Sequence, residues 1–236
     1  MTLLEIKAEK HTYRLYRSVY PPVESNMYVL IEGKEAVVID SNISEEVLDV
    51  MKEQEIETVH LFLTHEHYDH SHGVWWVQEN FKTLLYCHKG CEGQLSTKKK
   101  SSPRLVAFVL AEKDKNNGTN LYEEFKKSIR EYSLEPDVFL DDSQTICIAG
   151  HHITAYHTPG HSPGSCIYVV DEGIVFSGDC MIDGRKIITA FKGGNAEDMQ
   201  SYTLPKLKSL ADDLWVLPGH GEPFKKKDFK FDIYNV

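Results

Sequence analysis

Apolar and β-branched residues fall in short runs along the first part of the chain, at residues 13–20, 27–31, 36–39, 58–63 and 83–86, with Pro, Gly, Asp, Asn or Ser punctuating the early ones. Short runs of this kind between turn formers predict strands. Elsewhere the period lengthens. Ser44 precedes Glu45 and Glu46 and then Val47, Leu48, Val50 and Met51. A Ser cap ahead of acidic residues predicts a helix start, because its side-chain oxygen can accept from a free first-turn N–H. A second helix is expected over 73–79. Residues 96–136 differ in composition. Three lysines at 98–100, Pro103, the break Asn116-Asn117-Gly118, and Leu121, Tyr122, Phe125, Ile129 and Tyr132 at helical spacing predict two helices joined by a turn. Beyond Pro136 strands return at 138–140, 145–148, 152–156, 165–170 and 173–177, then a helix over 196–210 and a strand at 214–217. Two batches of strands with helices between or after them predict an α/β (α+β) fold in which two sheets pack together under helices. No internal repeat or low-complexity linker divides the chain, so 1–236 reads as a single domain with a helical insert at about 96–136.

Composition narrows the function classes. The chain is 41% hydrophobic, enough for a sizeable core, and its formal charge is −10, from 26 Lys and Arg against 36 Asp and Glu. With no basic stripe, no nucleic-acid surface is expected. The opening MTLLEIKAEK is charged and lacks a long apolar core, and no stretch nears the roughly 20 apolar residues of a membrane span. A cytoplasmic protein without a membrane partner is therefore expected. Five cysteines lack a framework spacing and read as reduced thiols, most of them buried. Cys87 and Cys91 stand four apart, but no second pair follows them, and Cys180 reads as a small buried hydrophobe.

Residues 64–73, THEHYDHSHG, are a different matter: His65, His67, Asp69, His70 and His72 crowd the loop after the strand at 58–63. Such side chains pack no apolar surface, so a shared cation is the natural reason to gather them. Three more loops carry the same residue types at a strand end: HTPGHSPGS with His161, FSGDCM with Asp179 and VLPGHGEP with His220. Their Gly and Pro neighbours let the backbone turn sharply and approach a small object. The imidazoles of His65, His67, His70, His161 and His220 and the carboxylates of Asp69 and Asp179 are too many for one tetrahedral ion. Nitrogen and oxygen ligation suits zinc, iron or manganese rather than calcium. Two divalent ions are expected, zinc foremost.

Taken together these segments resemble the metal-binding motifs of the metallo-β-lactamase-fold superfamily over nearly the whole chain, and PGHSPGS, SGD and PGHG are most similar to its glyoxalase II-like and lactonase-like hydrolases. The resemblance implies a four-layer αββα sandwich with ligands on loops along one edge. It also implies that His65, His67 and His161 hold one ion, that Asp69, His70 and His220 hold the other, and that Asp179 bridges them. Asp69 and Asp179 are then the catalytic carboxylates. Asp40, ending AVVID, matches the family's aspartate behind the ligands. The chemistry implied is attack on a thioester, ester or lactone carbonyl by a metal-bridging hydroxide, with the ions polarising the carbonyl and no Ser or Cys nucleophile required.

Other readings remain open at this level. An iron oxidoreductase of the persulfide-dioxygenase type has a very similar motif, and a metal-stabilised binding protein without turnover is the non-enzymatic alternative. Flavodiiron oxygen reductases place Glu where this chain has His67. Sixteen residues follow His220, so the C-terminal helical domain with which glyoxalase II grips glutathione is not expected. The partner expected is a small-molecule substrate, an anionic one among the candidates. Arg185 and Lys186, six and seven residues beyond Asp179, are candidates to bind an anionic group, since the intervening chain spans at most roughly 20–25 Å. His72, standing where related hydrolases carry Gly, is a further candidate for substrate contact. The 96–136 hairpin is expected to cover the metal edge as a lid, with a homodimer contact as the alternative.

Overall fold

The computed structural model describes residues 1–95, 103–130 and 132–234, so the lysines at 98–100 lie outside the described residues. Seven strands form the first sheet in sequential order: β1 (Thr2–Lys7), β2 (Thr12–Tyr20), β3 (Ser25–Glu32), β4 (Glu35–Ile39), β5 (Thr58–Phe62), β6 (Lys82–His88) and β7 (Val138–Leu140). The β1–β4 half is antiparallel and the β4–β7 half parallel. β4 and β5 are buried almost throughout, as expected of parallel strands covered on both faces.

The second sheet has six strands, ordered β13 (Phe224–Lys225), β12 (Trp215–Pro218), β11 (Ile174–Gly178), β10 (Cys166–Val170), β9 (His151–His157) and β8 (Gln144–Ile148), with β11 and β12 parallel. Between the sheets lies an apolar layer that includes Leu15, Tyr28, Ile39, Phe62, Tyr168 and Phe176.

Helices cover both outer faces, which completes the four-layer αββα arrangement. On the first sheet pack α1 (Glu45–Glu53), α2 (Tyr68–Ser71), α3 (Val74–Asn80), α4 (Arg104–Asn117) and α5 (Leu121–Ser128). Ser44 caps α1 by accepting from Val47 N–H, with Glu45 and Glu46 in the first turn and Val47, Leu48 and Met51 buried. α4 stops at Gly118, whose φ of +67° is a left-handed conformation that costs glycine little. On the second sheet lie α6 (Ala196–Asp198), a π turn (Met199–Thr203) and α7 (Leu204–Ser209). The π turn sits just ahead of Pro205, which has no N–H to give an α-helical bond.

The predicted strands are present to within a few residues. β1, β13 and the one-turn α2 were not expected, and the predicted 196–210 helix is interrupted by the π turn. No helix among the described residues is long and apolar enough to cross a membrane.

Candidate metal centre

The parallel pairs, β4 with β5 and β11 with β12, end on the same edge, and the polar side chains sit just beyond their carboxyl ends. The two sheets are stitched together there. Cys166 N–H donates to Thr64 O at 2.8 Å, Asn26 N–H to Gly219 O at 2.7 Å, and Ser25 bridges to His220. Asp40, directly after β4, adopts φ +56° and is 2% exposed. Its Oδ1 accepts from Thr64 N–H at 2.7 Å, and its Oδ2 accepts from the Thr64 hydroxyl at 2.8 Å and from His70 Nδ1 at 2.8 Å. Because the Thr64 hydroxyl gives its hydrogen to Asp40, it accepts from His65 Nδ1 at 3.0 Å. One carboxylate thus turns two imidazoles so that both present Nε2. His161 Nδ1 donates to Ile188 O at 2.8 Å and His220 Nδ1 to Val23 O at 3.0 Å, which leaves Nε2 of each facing the same space.

These nitrogens form two groups. In the first, His67 Nδ1 lies 3.1 Å from His65 Nε2 and 3.0 Å from His161 Nε2. The tautomers fixed above make both Nε2 atoms lone-pair carriers, and His67 Nδ1 can hold at most one hydrogen between them. Protonation does not relieve the crowding. Burial, reinforced by neighbouring imidazoles, pushes His65 well below the usual histidine range and His67 down to about 3. A cation among the three nitrogens does relieve it. In the second group Asp69 Oδ2 lies 3.6 Å from His70 Nε2 and 3.4 Å from His220 Nε2, and those two nitrogens are 3.4 Å apart.

Asp179 joins the groups. Its Oδ1 is 3.4 Å from His70 Nε2 and 3.5 Å from His220 Nε2, and its Oδ2 is 3.5 Å from His161 Nε2. Oδ1 is buried with no hydrogen-bond partner. Gly219 leaves room for this carboxylate, since a Cβ there would stand 2.6 Å from Asp179 Oδ1 and 2.7 Å from His70 Cε1. Every expected ligand is therefore at one place. Triads suited to a metal ion are His65, His67 and His161; Asp69, His70 and His220; and His65, His70 and Asp179.

Protons distribute unevenly over the metal-free cluster. Burial would lower His70, but Asp69, Asp179 and Asp40 outweigh it and push the imidazole up to about 9. Burial of His220 is outweighed likewise by Asp179 and Asp69, giving about 11. Burial would raise Asp69 and Asp179, yet the charged imidazoles of His70 and His220 hold both below the carboxylate range. The raised imidazoles stabilise the metal-free fold below their unfolded value of about 6.5, and that contribution is lost as pH rises through 9 and 11. A metal-ligating histidine must be neutral, so loading the second group at pH 7.5 is expected to release about two protons. Calorimetric titration in buffers of different ionisation enthalpy reads this directly. Proton-free binding at both groups would show that His70 and His220 are already neutral.

A cavity of about 170 Å³ opens beside the clustered His and Asp side chains, lined by α4 and by residues of the segment from Ile182 to Phe191. Arg185 and Lys186 both line it, and the Arg185 guanidinium lies 3.3 Å from Glu24 Oε2 at its rim. His72 does not line it. That side chain is buried between Tyr20 and Tyr68, and its Nδ1 faces Tyr68 O at 3.1 Å. Cys180 is buried against Thr158, with burial pushing its thiol up to about 12. Cys87 and Cys91 are free and buried.

Sequence reasoning passed over Thr64 as a relay and Glu66 as a tie. The buried Glu66 carboxylate accepts from the Ser162 hydroxyl at 2.9 Å, linking the His65 and His67 loop to the one that carries His161. Neither residue type carries a motif-level signal.

The chain is similar to known proteins in sequence and in fold. The chain is 27% identical over 203 residues to the probable metallo-hydrolase YqgX of Bacillus subtilis, covering 85% of this chain and 86% of that one. It is 25% identical over 199 residues to the hydroxyacylglutathione hydrolase GloC of Haemophilus influenzae, covering 80% and 82%. The crystal structure of the BLEG-1 B3 metallo-β-lactamase superposes with a TM-score of 0.69 at 26% identity, over 90% of this chain and 94% of that one. The family model of the metallo-β-lactamase superfamily matches residues 20–220, a span that takes in Asp40 and all seven clustered His and Asp residues, and the chain belongs to that superfamily.

Proposed function

We propose that the protein is a dinuclear metal-dependent hydrolase acting on a thioester, ester or lactone. The observation that carries this reading is the shared carboxylate: Asp179 presents one oxygen to His161 and the other to His70 and His220. His65, His67 and His161 would hold one ion, and Asp69, His70 and His220 the other, with zinc the expected metal and iron or manganese compatible with the same donors. Two ions so held would supply a hydroxide near neutral pH, by bringing the pKa of a shared water toward about 7, and would polarise a carbonyl.

The chain's own residues do the rest. Asp40, Thr64, Ile188 O and Val23 O fix the imidazole orientations, so no ligand has to reorganise during turnover. The apolar wall of the cavity limits water to the polar end. No cysteine lines the cavity, and the Cys180 thiol next to Asp179 is held protonated by burial, which argues against covalent catalysis by a thiolate. Hydrolysis adds one water across the acyl C–S or C–O bond and yields a carboxylic acid with a thiol or alcohol. The relative named for hydrolysing hydroxyacylglutathione supports this class of chemistry.

Protein purified without added metal is expected to contain about two divalent ions per chain, and chelation is expected to abolish hydrolysis in a thioester and lactone screen and to lower the Tm. A single iron per chain with oxygen-consuming turnover of a persulfide would overturn the reading.

A further inference from the structure

The cavity wall changes character with distance from the ligands. α4 lays Leu105, Val109 and Lys113 along it at intervals of four residues, which places them on one helical face. The adjoining face, with Val106 and Leu110, is buried in the core with Phe125. Ile182, Ile187, Ile188 and Phe191 also line the cavity. Leu105 also borders the neighbouring groove that holds His67 and Tyr68, so the stripe begins beside the ligands and ends at Lys113. Eight residues at about 1.5 Å each put the two ends roughly 12 Å apart.

The stripe on α4 ends in a cation, and two more cations line the cavity. Lys113, Arg185 and Lys186 all line the cavity, but only Arg185 has a carboxylate partner, Glu24; neither lysine forms an ion pair among the described residues. The carboxylates on the cavity wall, Asp69 and Asp179, are at the ligand end. The face of α4 thus runs from beside the clustered His and Asp side chains through aliphatic side chains to the unpaired ammonium group of Lys113.

Resting on the hydrolase reading, we propose that the substrate is an acyl ester or thioester whose medium-length apolar chain ends in a carboxylate. The acyl bond lies at the ligands, Leu105, Val109, Ile187 and Phe191 take the chain, and Lys113 takes the anion. Arg185 is held by Glu24 at the rim. This assigns α4, the first helix of the insert, to substrate selection.

The test uses N-acetylcysteamine thioesters of acetate, octanoate and suberate with the metal-loaded full chain. Titration calorimetry of the corresponding non-hydrolysable amides gives binding independently of turnover. Both kcat/KM and amide affinity are expected to rise from acetyl to octanoyl to suberyl. Lys113→Ala is expected to weaken suberyl amide binding about tenfold relative to octanoyl, the size of a lost charged hydrogen bond. Val109→Asn is expected to weaken both long amides relative to acetyl. Metal content should match the unsubstituted protein in each variant, which reports that the site has folded. Equal losses on suberyl and octanoyl amides in Lys113→Ala, or no preference for octanoyl over acetyl, would overturn the proposal. Graded amide binding with no thioester turnover would support the recognition surface and overturn the hydrolase reading instead.

Discussion

Asp179→Ala is expected to abolish turnover and to lower bound metal in both groups at once, because its carboxylate alone spans them. Residues that only orient a ligand typically change metal affinity by about 10–100-fold, and a side chain that meets both ions should exceed that. The expected effect extends to the metal-free protein. There Asp179 is a counter-charge to His70 and His220, both protonated at neutral pH, and breaking a buried pair by removing one partner costs about 3–5 kcal/mol. Asp179→Asn separates shape from charge: it keeps the volume beside Gly219 but cannot neutralise either imidazolium. It is expected to fold, to show a lower metal-free Tm and to fail to fill both sites. Elemental analysis and thermal melts on the two variants, with and without chelator, read each part. A variant that retained two ions per chain would show that the carboxylate is not shared.

Much of this site is written locally in the chain, and the reason is chemical crowding. His65, His67, Asp69 and His70 fall within six positions, a density that solvated surface does not require. Strands β4 and β5 are equally legible, because strands buried on both faces read as continuous apolar runs. What escaped depends on tertiary placement. β1 alternates weakly, with Ile6 its only buried residue, and owes its existence to the register it shares with β2. α2 is one turn, closed by Ser71 N–H to His67 O, too short for any period to show.

His72 illustrates the same limit from the other side. Two residues past His70 on a helical turn means about 200° around the axis. When His70 points at the ligands, His72 therefore points away, into the ring stack of Tyr20 and Tyr68. Proximity in sequence suggested a substrate contact, whereas the helical period decides the direction. Arg185 was placed by chain reach alone, and it does arrive at the cavity, but reach says nothing of Glu24, which comes from a distant loop. Lys113 is an ordinary polar position on a helix until α4 docks beside the ligands.

Asp40→Asn is expected to have the second largest effect, although Asp40 touches no ion in the reading proposed above. The substitution is nearly isosteric, and Asn tolerates the φ of +56° at this position, so the backbone should hold. Hydrogen-bond polarity is what changes. The carboxylate accepts from Thr64 N–H, from the Thr64 hydroxyl and from His70 Nδ1. An amide has one accepting oxygen and a donating nitrogen, so it cannot serve all three. If its oxygen keeps Thr64 N–H, its nitrogen meets His70 Nδ1, and that ring can pair only by moving its proton to Nε2, the atom that faces Asp69, Asp179 and His220. Ligation through Nε2 would then require removing the ring's last proton, which a neutral imidazole gives up far less readily. The second group should therefore lose affinity by about 10–100-fold while the first, whose His67 and His161 orient independently of Asp40, keeps its ion. Elemental analysis after dialysis against a graded chelator series is expected to show one retained ion per chain and little hydrolysis. The number of protons released on reloading should change as well, because the His70 proton is no longer the one displaced from an Asp40-bound ring. Loss of both ions together would show that Thr64 transmits the change to His65 as well, making Asp40 the common anchor of the whole cluster.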